Sequence, residues 1–250
     1  MNYWSGKVAI VTGASAGIGL AISKELAKYG INVIGLARRM DKLLEAAALI
    51  AEHKFFPIQC DITEEEQILS AIKWIEEKFG GVDILVNNAG LFSFSYVMDS
   101  ETDEIHNVIN TNLIAPAILA REAIQSMRRR YAAGHIINIT GITGLYCEAV
   151  SVPMGIYGPS KFGLKGLGIE LRHEISQYKL KIKVTTINPG FVRTDMSKQL
   201  NSFMKVSPEV LLNDRDIADA VIYALGTPKS VEISEITVLP HCLGSDAILL

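Results

Sequence analysis

The chain has 250 residues, of which 49% are hydrophobic and 20% are charged. This length and composition predict a globular protein with a complete hydrophobic core, and they exclude a disordered chain. The formal net charge of −3 argues against a surface for nucleic acids or anionic membranes. The one tight basic cluster, residues 128–130, follows an apolar-periodic stretch and fits a helix C-terminus, where cations complement the helix dipole.

The cysteines Cys60, Cys147 and Cys242 are few and unpatterned, which predicts reduced thiols in an intracellular compartment. Residues 1–7 are too few for a signal peptide, and no apolar run reaches the length of a membrane span. We therefore expect a cytoplasmic protein with no membrane partner, no nucleic-acid partner and no metal.

A short apolar run at residues 7–12 predicts a buried strand, and Gly13, Gly17 and Gly19 follow it before a helical stretch. Glycines let backbone N–H groups approach a pyrophosphate, and a helix N-terminus adds a favourable dipole. The spacing differs from the G-x-G-x-x-G of many dinucleotide folds, and an ordinary left-handed turn is the alternative. The strand–turn–helix context favours a dinucleotide site.

The second predicted strand covers residues 32–37, and Arg38 and Arg39 come directly after it. The acidic residue that binds a ribose 2′-hydroxyl in many dinucleotide sites is missing at this point. An arginine can instead hold a 2′-phosphate through a bidentate pair of hydrogen bonds. This predicts NADP(H) in preference to NAD(H), with a plain surface arginine pair as the alternative.

Further strands are predicted at residues 55–60 and 82–86, separated by a helix that begins with a capping box at residues 63–66. Alternating strands and helices with short connections predict right-handed crossovers and a parallel sheet. No repeat or linker interrupts the chain. We therefore expect residues 1–250 to form one α/β domain of Rossmann type, a doubly wound seven-stranded parallel sheet with helices on both faces.

A long helical stretch at residues 101–130 contains Asn112 and Pro116. Proline has no N–H to donate to the carbonyl of Asn112, so this carbonyl is free for a water or a side chain, with a local kink. A kink with a purely structural role is the alternative.

A strand at residues 135–140 and a loop at residues 141–156 lead to Tyr157. Tyr157 and Lys161 are spaced to share one face of a helix that reaches about residue 178 and has Pro159 in its first turn. A cation beside a phenol stabilises the phenolate, which predicts a lowered pKa for Tyr157 and proton exchange near neutral pH. Taken alone, such a pair is more often an ordinary helix surface.

The last strands are predicted at residues 181–187 and 236–239, with a helix at residues 214–225. Residues 194–209 mix polar and large apolar side chains, as a lid over a lipophilic pocket would. The helix at residues 157–178 is apolar on several sides, and a subunit interface is one way to bury it. The pocket candidates, for which plain core is the alternative, are Leu91, Phe92, Phe94, Val152, Met154 and Phe203.

These motifs, in this order, resemble the single-domain branch of the short-chain dehydrogenase/reductase family over almost the whole chain. The matching pieces are Thr12-Gly-x-x-x-Gly17-Ile-Gly19, Asn87-Asn-Ala-Gly90, Asn112, Tyr157-x-x-x-Lys161 and Pro189-Gly190. Residues 134–139 and 220–228 are similar to NADP-dependent carbonyl reductase and farnesol dehydrogenase members. The resemblance implies an NADP(H)-dependent oxidoreductase that interconverts a lipophilic alcohol (a terpenoid such as farnesol, or a steroid-like alcohol) and its carbonyl. It also implies a homodimer or homotetramer.

The resemblance implies roles for the matching residues. Tyr157 exchanges a proton with the substrate oxygen, Lys161 holds the nicotinamide ribose and lowers the tyrosine pKa, and Asn112 positions a water. The residues implied at the cofactor, besides Tyr157 and Lys161, are Gly13, Ser15, Gly17, Ile18, Gly19, Arg38, Arg39, Asp61, Ile62, Asn88, Ala89, Gly90, Pro189, Gly190, Val192 and Thr194.

One position departs from the family pattern, because Gly141 stands where the family usually has a serine, three residues before Gly144. That hydroxyl would orient the substrate carbonyl and stabilise oxyanion charge. Thr143, Thr140, Ser151 or a water could replace it, and Thr143 is preferred because Thr140 should point to the opposite strand face. Gly141→Ser should then raise turnover modestly. The alternative function is an NADPH-binding homologue with weak or no catalysis.

Overall fold

The structure is a computed structural model that describes residues 1–50, 53–147, 152–200 and 211–241. Its strands are β1 (Val8–Thr12), β2 (Asn32–Ala37), β3 (Phe55–Gln59), β4 (Ile84–Asn87), β5 (Gly134–Ile139), β6 (Ile182–Pro189) and β7 (Glu235–Val238). They form one seven-stranded sheet in the order β3-β2-β1-β4-β5-β6-β7. All neighbouring strands pair in parallel. The predicted fold class is therefore confirmed.

Helices cover both faces of this sheet. They are α1 (Gly17–Lys28), α2 (Met40–Ala48), α3 (Glu65–Phe79), α4 (Thr102–Ile109), α5 (Ala115–Arg129), α6 (Tyr157–Gln177), α7 (Asp195–Leu200) and α8 (Asp214–Gly226). One core layer packs α1, α2 and α8 against the sheet, and the other packs α3, α5 and α6 against the opposite face. No helix in the described ranges is long and apolar enough to cross a membrane.

The topology explains why the motifs follow the strands. Strands β1, β4 and β5 are buried along their whole length, which is why they appear in the sequence as continuous apolar runs. The chain leaves β1 in one direction towards β2 and later returns to its other side as β4, so the strand order reverses there. Ligands of open parallel sheets bind at such a switch point, beyond the carboxyl ends of the strands.

The capping box predicted at residues 63–66 is not formed. Helix α3 begins at Glu65, and its N-cap has no side-chain hydrogen bond. The Thr63 hydroxyl instead donates to Asp61 Oδ1 at 2.8 Å, and the same oxygen accepts the Thr63 N–H at 3.0 Å. The Asp61 N–H donates to the Gln67 side chain at 2.9 Å. The prediction is wrong because an aspartate turn competed successfully for the threonine that would have been the cap.

The helical stretch predicted at residues 101–130 is divided by a π-helical turn, Asn110–Ile114. There the Ala115 N–H donates to the carbonyl of Asn110, five residues back. Pro116 follows in the first turn of α5, where its missing N–H costs least. The irregularity expected at Asn112 is thus a π turn, a form frequent at functional sites. The use of the Asn112 carbonyl by a water stays a prediction.

The structure also bears on the predictions for the basic cluster, the cysteines and the lid. Helix α5 ends at Arg129, so the basic cluster does lie at a helix C-terminus. The two described cysteines, Cys60 and Cys147, form no disulfide. Of the lid predicted at residues 194–209, the structure describes α7 and the residue before it. Ser151, Phe203 and Cys242 lie outside the described residues.

Candidate active site

The glycine turn joins β1 to α1 with almost no side-chain bulk. Gly13 and Gly17 have φ angles of +67° and +51°, which favour glycine. A methyl group added at Gly19 would lie 2.4 Å from the Gly13 carbonyl oxygen, so the backbone closes on itself there. A methyl at Gly17 would lie 3.1 Å from Thr194 Cγ2, which places the segment after β6 across from the turn. This bare cradle at a helix N-terminus fits a diphosphate.

Thr12 ties the glycine turn to the neighbouring strand. Its Oγ1 accepts the N–H groups of Asn88 and Ala89 at 3.0 and 2.9 Å. The Asn88 side chain donates back to the Thr12 carbonyl at 2.8 Å. These bonds hold together the carboxyl ends of β1 and β4, where a dinucleotide would lie. Sequence reasoning did not count Thr12 among the site residues, although it opens the glycine motif.

The structure brings Tyr157 and Lys161 together at the start of α6. Tyr157 is the first residue of the helix and Pro159 lies in its first turn. Lys161 Nζ lies 5.6 Å from the centroid of the Tyr157 ring and donates to the Ile139 carbonyl at 3.1 Å. The two residues are only 9% and 3% exposed, respectively. The pair is therefore anchored to the end of β5 and is not a solvated helix surface.

Asn112 is completely buried behind the cleft. Its side-chain amide donates to the Leu91 carbonyl and to Ser160 Oγ, both at 2.9 Å, and its Oδ1 accepts the Leu91 N–H at 2.8 Å. A methyl group added at Gly90 would lie 3.4 Å from Lys161 Nζ and 3.6 Å from Asn112 Oδ1. Asn112 thus fixes the segment after β4 against α6, and it approaches Lys161 across Gly90.

Gly141 and Thr143 lie opposite the tyrosine hydroxyl. Gly141 has φ +116° and ψ 162°, a region that essentially only glycine adopts. A methyl group there would lie 3.9 Å from Tyr157 Oη and 3.7 Å from Thr143 Oγ1. Thr143 is buried, and its Oγ1 has no hydrogen-bond partner among the described residues. Thr140 Oγ1, in contrast, donates to the Ile187 carbonyl at 3.0 Å, towards β6 as expected.

This backbone bears on the expected gain from Gly141→Ser. A serine Cβ there would meet no atom closer than 3.7 Å, but this φ and ψ would cost about 1–3 kcal/mol of strain. The gain in turnover stays a prediction, and the strain acts against it.

One cleft of about 550 Å³ contains these groups. All the catalytic and cofactor residues predicted from the sequence line it except Gly19, which is inside the turn, and Asn112, which lies behind it. Among the pocket candidates, Leu91, Phe92 and Met154 line the cleft. Asp195, Met196 and Ser197, which belong to the stretch predicted as a lid, also line the cleft. Sequence reasoning missed Thr111 and Phe191, which belong to no motif.

A model of the short chain dehydrogenase family matches residues 7–205 of this chain. The chain belongs to that family. It is 38% identical over 245 residues to a farnesol dehydrogenase of Aedes aegypti, across 96% of this chain and 98% of that protein. It is also 35% identical over 254 residues to dehydrogenase/reductase SDR family member 11 of Homo sapiens, across 96% of each.

Solved structures of short-chain dehydrogenases share the fold. A short-chain type dehydrogenase/reductase from Mycobacterium marinum matches with a TM-score of 0.87 at 26% identity, over 95% of each chain. A metagenomic short-chain oxidoreductase in complex with NADP matches with a TM-score of 0.80 at 30% identity, over 96% of this chain and 99% of that one. Family membership supports dehydrogenase or reductase activity for this chain.

In this short-chain dehydrogenase, burial governs the protonation of the central pair. Desolvation raises the pKa of Tyr157 to about 12 and lowers the pKa of Lys161 to about 8. The lowered tyrosine pKa predicted from the sequence is therefore wrong for the chain without cofactor. A full charge about 5 Å from a phenolate, at an effective dielectric of about 20, would stabilise it by about 3 kcal/mol, or roughly two pKa units. Lys161 alone would thus only return the phenol to its ordinary range.

Lys161→Met should change how stability depends on pH. The folded-state pKa of Lys161 lies below its ordinary value, so the unfolded chain binds this proton more tightly. The free energy of unfolding of the native chain should rise between about pH 8 and pH 10.5, by up to about 3 kcal/mol, relative to the variant.

Urea unfolding of both proteins from pH 7 to 10.5 measures this difference, since about 10.5 is the ordinary lysine value. Lys165→Met, one turn further along α6, is the matched control: its amine forms an ion pair with Glu235 at 3.1 Å, so the variant loses a lysine of the same helix without loss of a buried amine. Parallel profiles for the native chain and Lys161→Met would contradict the burial of a charged amine.

Proposed function

We propose that this short-chain dehydrogenase is an NADP(H)-dependent oxidoreductase that interconverts a lipophilic alcohol, of terpenoid or steroid-like type, and its carbonyl. The observation that carries the proposal is the position of the Tyr157 hydroxyl. It faces the turn of Gly141 and Thr143, in the cleft that also contains the glycine turn. A substrate oxygen between the phenol and the Thr143 hydroxyl would have both a proton source and a hydrogen-bond donor within reach.

The cleft has the features that a phosphorylated dinucleotide needs. The glycine turn offers space and a helix N-terminus to the diphosphate. Arg38 and Arg39 follow β2, line the same cleft and are exposed, so their guanidinium groups can reach a 2′-phosphate. When bound, NADP(H) supplies or accepts the hydride, and its oxidised ring carries a positive charge. The similarity to an oxidoreductase solved with NADP supports this choice of cofactor.

Thr143 and Tyr157 have different roles at the substrate oxygen. Thr143 Oγ1, which has no partner among the described residues, donates a hydrogen bond to that oxygen. Tyr157 exchanges the proton, and with a pKa of about 12 it is already protonated for carbonyl reduction at neutral pH. For alcohol oxidation the phenolate must form, so positive charge beside Tyr157 matters more in that direction.

The walls of the cleft favour an apolar substrate. Leu91, Phe92 and Met154 line it beside Tyr157, and the Phe92 ring centroid is 4.8 Å from that of Tyr157. The similarity to a farnesol dehydrogenase supports a long apolar alcohol. Polar contacts then concentrate at the reacting oxygen, as in most small-molecule sites.

The second candidate function is cofactor binding without useful catalysis, which the glycine at position 141 motivates. The unpartnered Thr143 hydroxyl beside it argues for the enzyme, because a buried hydroxyl without a partner is destabilising unless a ligand uses it. A panel of terpenoid, steroid and retinoid alcohols and ketones, monitored at 340 nm with both cofactors, distinguishes the two. NADPH binding without turnover of any member would favour the second.

We also propose that the enzyme is cytoplasmic and forms a homodimer or homotetramer through α4, α5 and α6. Phe162 and Ile169, on α6, are 43% and 53% exposed in the single chain. Apolar side chains exposed on a long helix suit contact with a second copy.

Tyr157→Phe should lower kcat by about 10²–10⁴-fold, because it removes only the acid/base group. The phenyl ring keeps its packing against Phe92, so the dissociation constant of NADPH should stay within about twofold of the native value. Steady-state kinetics and fluorescence titration with NADPH measure the two effects. Turnover like that of the native enzyme would end the proposed mechanism.

Thr143→Val should lower kcat by about 10²–10³-fold, the usual effect of removing one oxyanion donor. It should also leave the free energy of unfolding unchanged or raise it by about 1 kcal/mol, because a buried hydroxyl without a partner is replaced by a methyl group of the same shape. Thr143→Ser, which keeps the hydroxyl, should retain most of the activity. If Thr143→Val has native kcat, a water or another group replaces the family serine.

Arg38→Ala should weaken the binding of NADPH by about 10–100-fold, since each hydrogen bond to a charged group contributes about 1.5–3 kcal/mol. NADH, which has no 2′-phosphate, should bind the variant and the native chain with affinities within about twofold. Titration with each nucleotide gives the four dissociation constants. Equal losses for NADPH and NADH would remove the 2′-phosphate assignment.

A further inference from the structure

The Tyr157 ring has an aromatic neighbour that belongs to the segment after β4. The centroid of Phe92 lies 4.8 Å from that of Tyr157, and the two planes are tilted by 50°. Phe94 packs on Phe92 with its centroid at 4.5 Å. Since Phe92 also lines the cleft, it contacts both the proposed acid/base residue and the space for the substrate. The position of this ring therefore matters for both.

Two sets of side chains hold the segment that carries Phe92. On one side, Asn112 binds the N–H and the carbonyl of Leu91. On the other side, Glu104 Oε1 accepts hydrogen bonds from the hydroxyls of Ser93 and Ser95, the latter at 2.8 Å. Phe92 lies between these two anchors, so neither end of its short segment can move independently.

Ser93, Ser95, Ser100 and Glu104 form a serine–glutamate cluster. Ser95 Oγ lies 3.1 Å from Ser93 Oγ and 2.8 Å from Ser100 Oγ, so the hydroxyls are linked to one another as well as to the carboxylate. The hydrogen bonds from Ser93 and then Ser95 lower the pKa of Glu104, which keeps it ionised. In the described part of the chain no lysine or arginine forms an ion pair with Glu104. Its carboxylate is held instead by the hydroxyls of Ser93 and Ser95, which belong to the Phe92 segment, and by a backbone hydrogen bond from Glu101.

The same cluster contacts the residues that precede Tyr157. Gly155 has φ +49°, and a methyl group added to it would lie 2.9 Å from Ser93 Oγ and 3.0 Å from the Ser95 carbonyl oxygen. The turn that starts α6 thus packs directly on the cluster. One group of hydrogen bonds fixes the Phe92 segment against the turn that leads into Tyr157.

We propose that Glu104 is a positioning residue for the reaction. Through Ser93 and Ser95 its carboxylate fixes Phe92 as the wall against which the apolar part of the substrate packs beside Tyr157. This inference rests on the proposed function for its kinetic effect, whereas its effect on the Phe92 segment does not depend on any substrate.

Glu104→Ala should raise KM for farnesol, used as the probe alcohol, by about tenfold, the size expected when an apolar pocket loses part of a substrate contact. KM for NADPH should stay within about twofold of the native value, because Ser93, Ser95, Ser100 and Glu104 do not line the cleft that contains the glycine turn. Glu104→Gln keeps an oxygen acceptor and should restore most of the affinity. Asp103→Ala, the exposed neighbour on α4, is the matched control and should behave as the native enzyme. Native KM in Glu104→Ala, or a loss of active protein alone, would overturn the proposal.

A double-mutant cycle tests whether Glu104 acts through Phe92. Phe92→Ala should raise KM by itself, and the addition of Glu104→Ala should raise it no further. Independent, additive effects on KM would overturn the proposed route.

Hydrogen exchange, measured on the protein without substrate, tests the positioning role independently of enzyme turnover. Backbone amides of residues 91–96 should exchange at least about tenfold faster in Glu104→Ala than in the native chain or in Glu104→Gln. Unchanged exchange in Glu104→Ala would overturn the positioning role even in an active enzyme. Faster exchange in a protein that turns over no alcohol would support the role and reject the proposed function alone.

Discussion

The desolvation of the Tyr157–Lys161 pair is the constraint on which the site depends. Removing both groups from water disfavours their charged forms, so the phenol holds its proton and the ammonium gives its proton up more easily. Without a ligand, Tyr157 is therefore protonated at neutral pH and can act as an acid but not as a base. Any ligand that brings positive charge into the cleft shifts this balance, which couples binding to proton transfer.

Hydrogen bonds from the surrounding fold offset the free-energy cost of burying Tyr157 and Lys161. Lys161 donates to the carbonyl at the end of β5, and Asn112 holds Leu91 and Ser160 in place on either side. Both anchors lie near the carboxyl ends of central strands of the sheet. The π turn at Asn110–Ile114 belongs to the same arrangement, because it brings the buried Asn112 amide to the backbone of Leu91.

Features that depend on local spacing could be predicted from the sequence. Features that depend on contacts between distant or competing groups could not. The glycine turn, the Tyr157–Lys161 pair and the parallel sheet follow from periodicity and short motifs. The pKa of Tyr157 could not be predicted, because the sequence spacing indicates that Lys161 is near but does not indicate how deeply the two side chains are buried. The helix cap predicted at Thr63 is absent because the Thr63 hydroxyl binds Asp61 instead. Both hydrogen bonds are local, and the sequence pattern allows either one. The bonds of Thr12 to β4 need the sheet order before they can be inferred.

The departure from the family pattern at Gly141 has a physical explanation in the backbone. With φ +116° and ψ 162° this residue has a conformation that serine rarely adopts, so the backbone at this position itself favours glycine. In the same turn Thr143 Oγ1 is buried and unpartnered among the described residues. A methyl group at Gly141 would lie 3.7 Å from this oxygen and 3.9 Å from Tyr157 Oη. The missing side chain at position 141 and the unpartnered hydroxyl at position 143 are thus neighbouring features of one turn. A chain that had merely lost its serine would have no reason to keep a second buried hydroxyl unpaired.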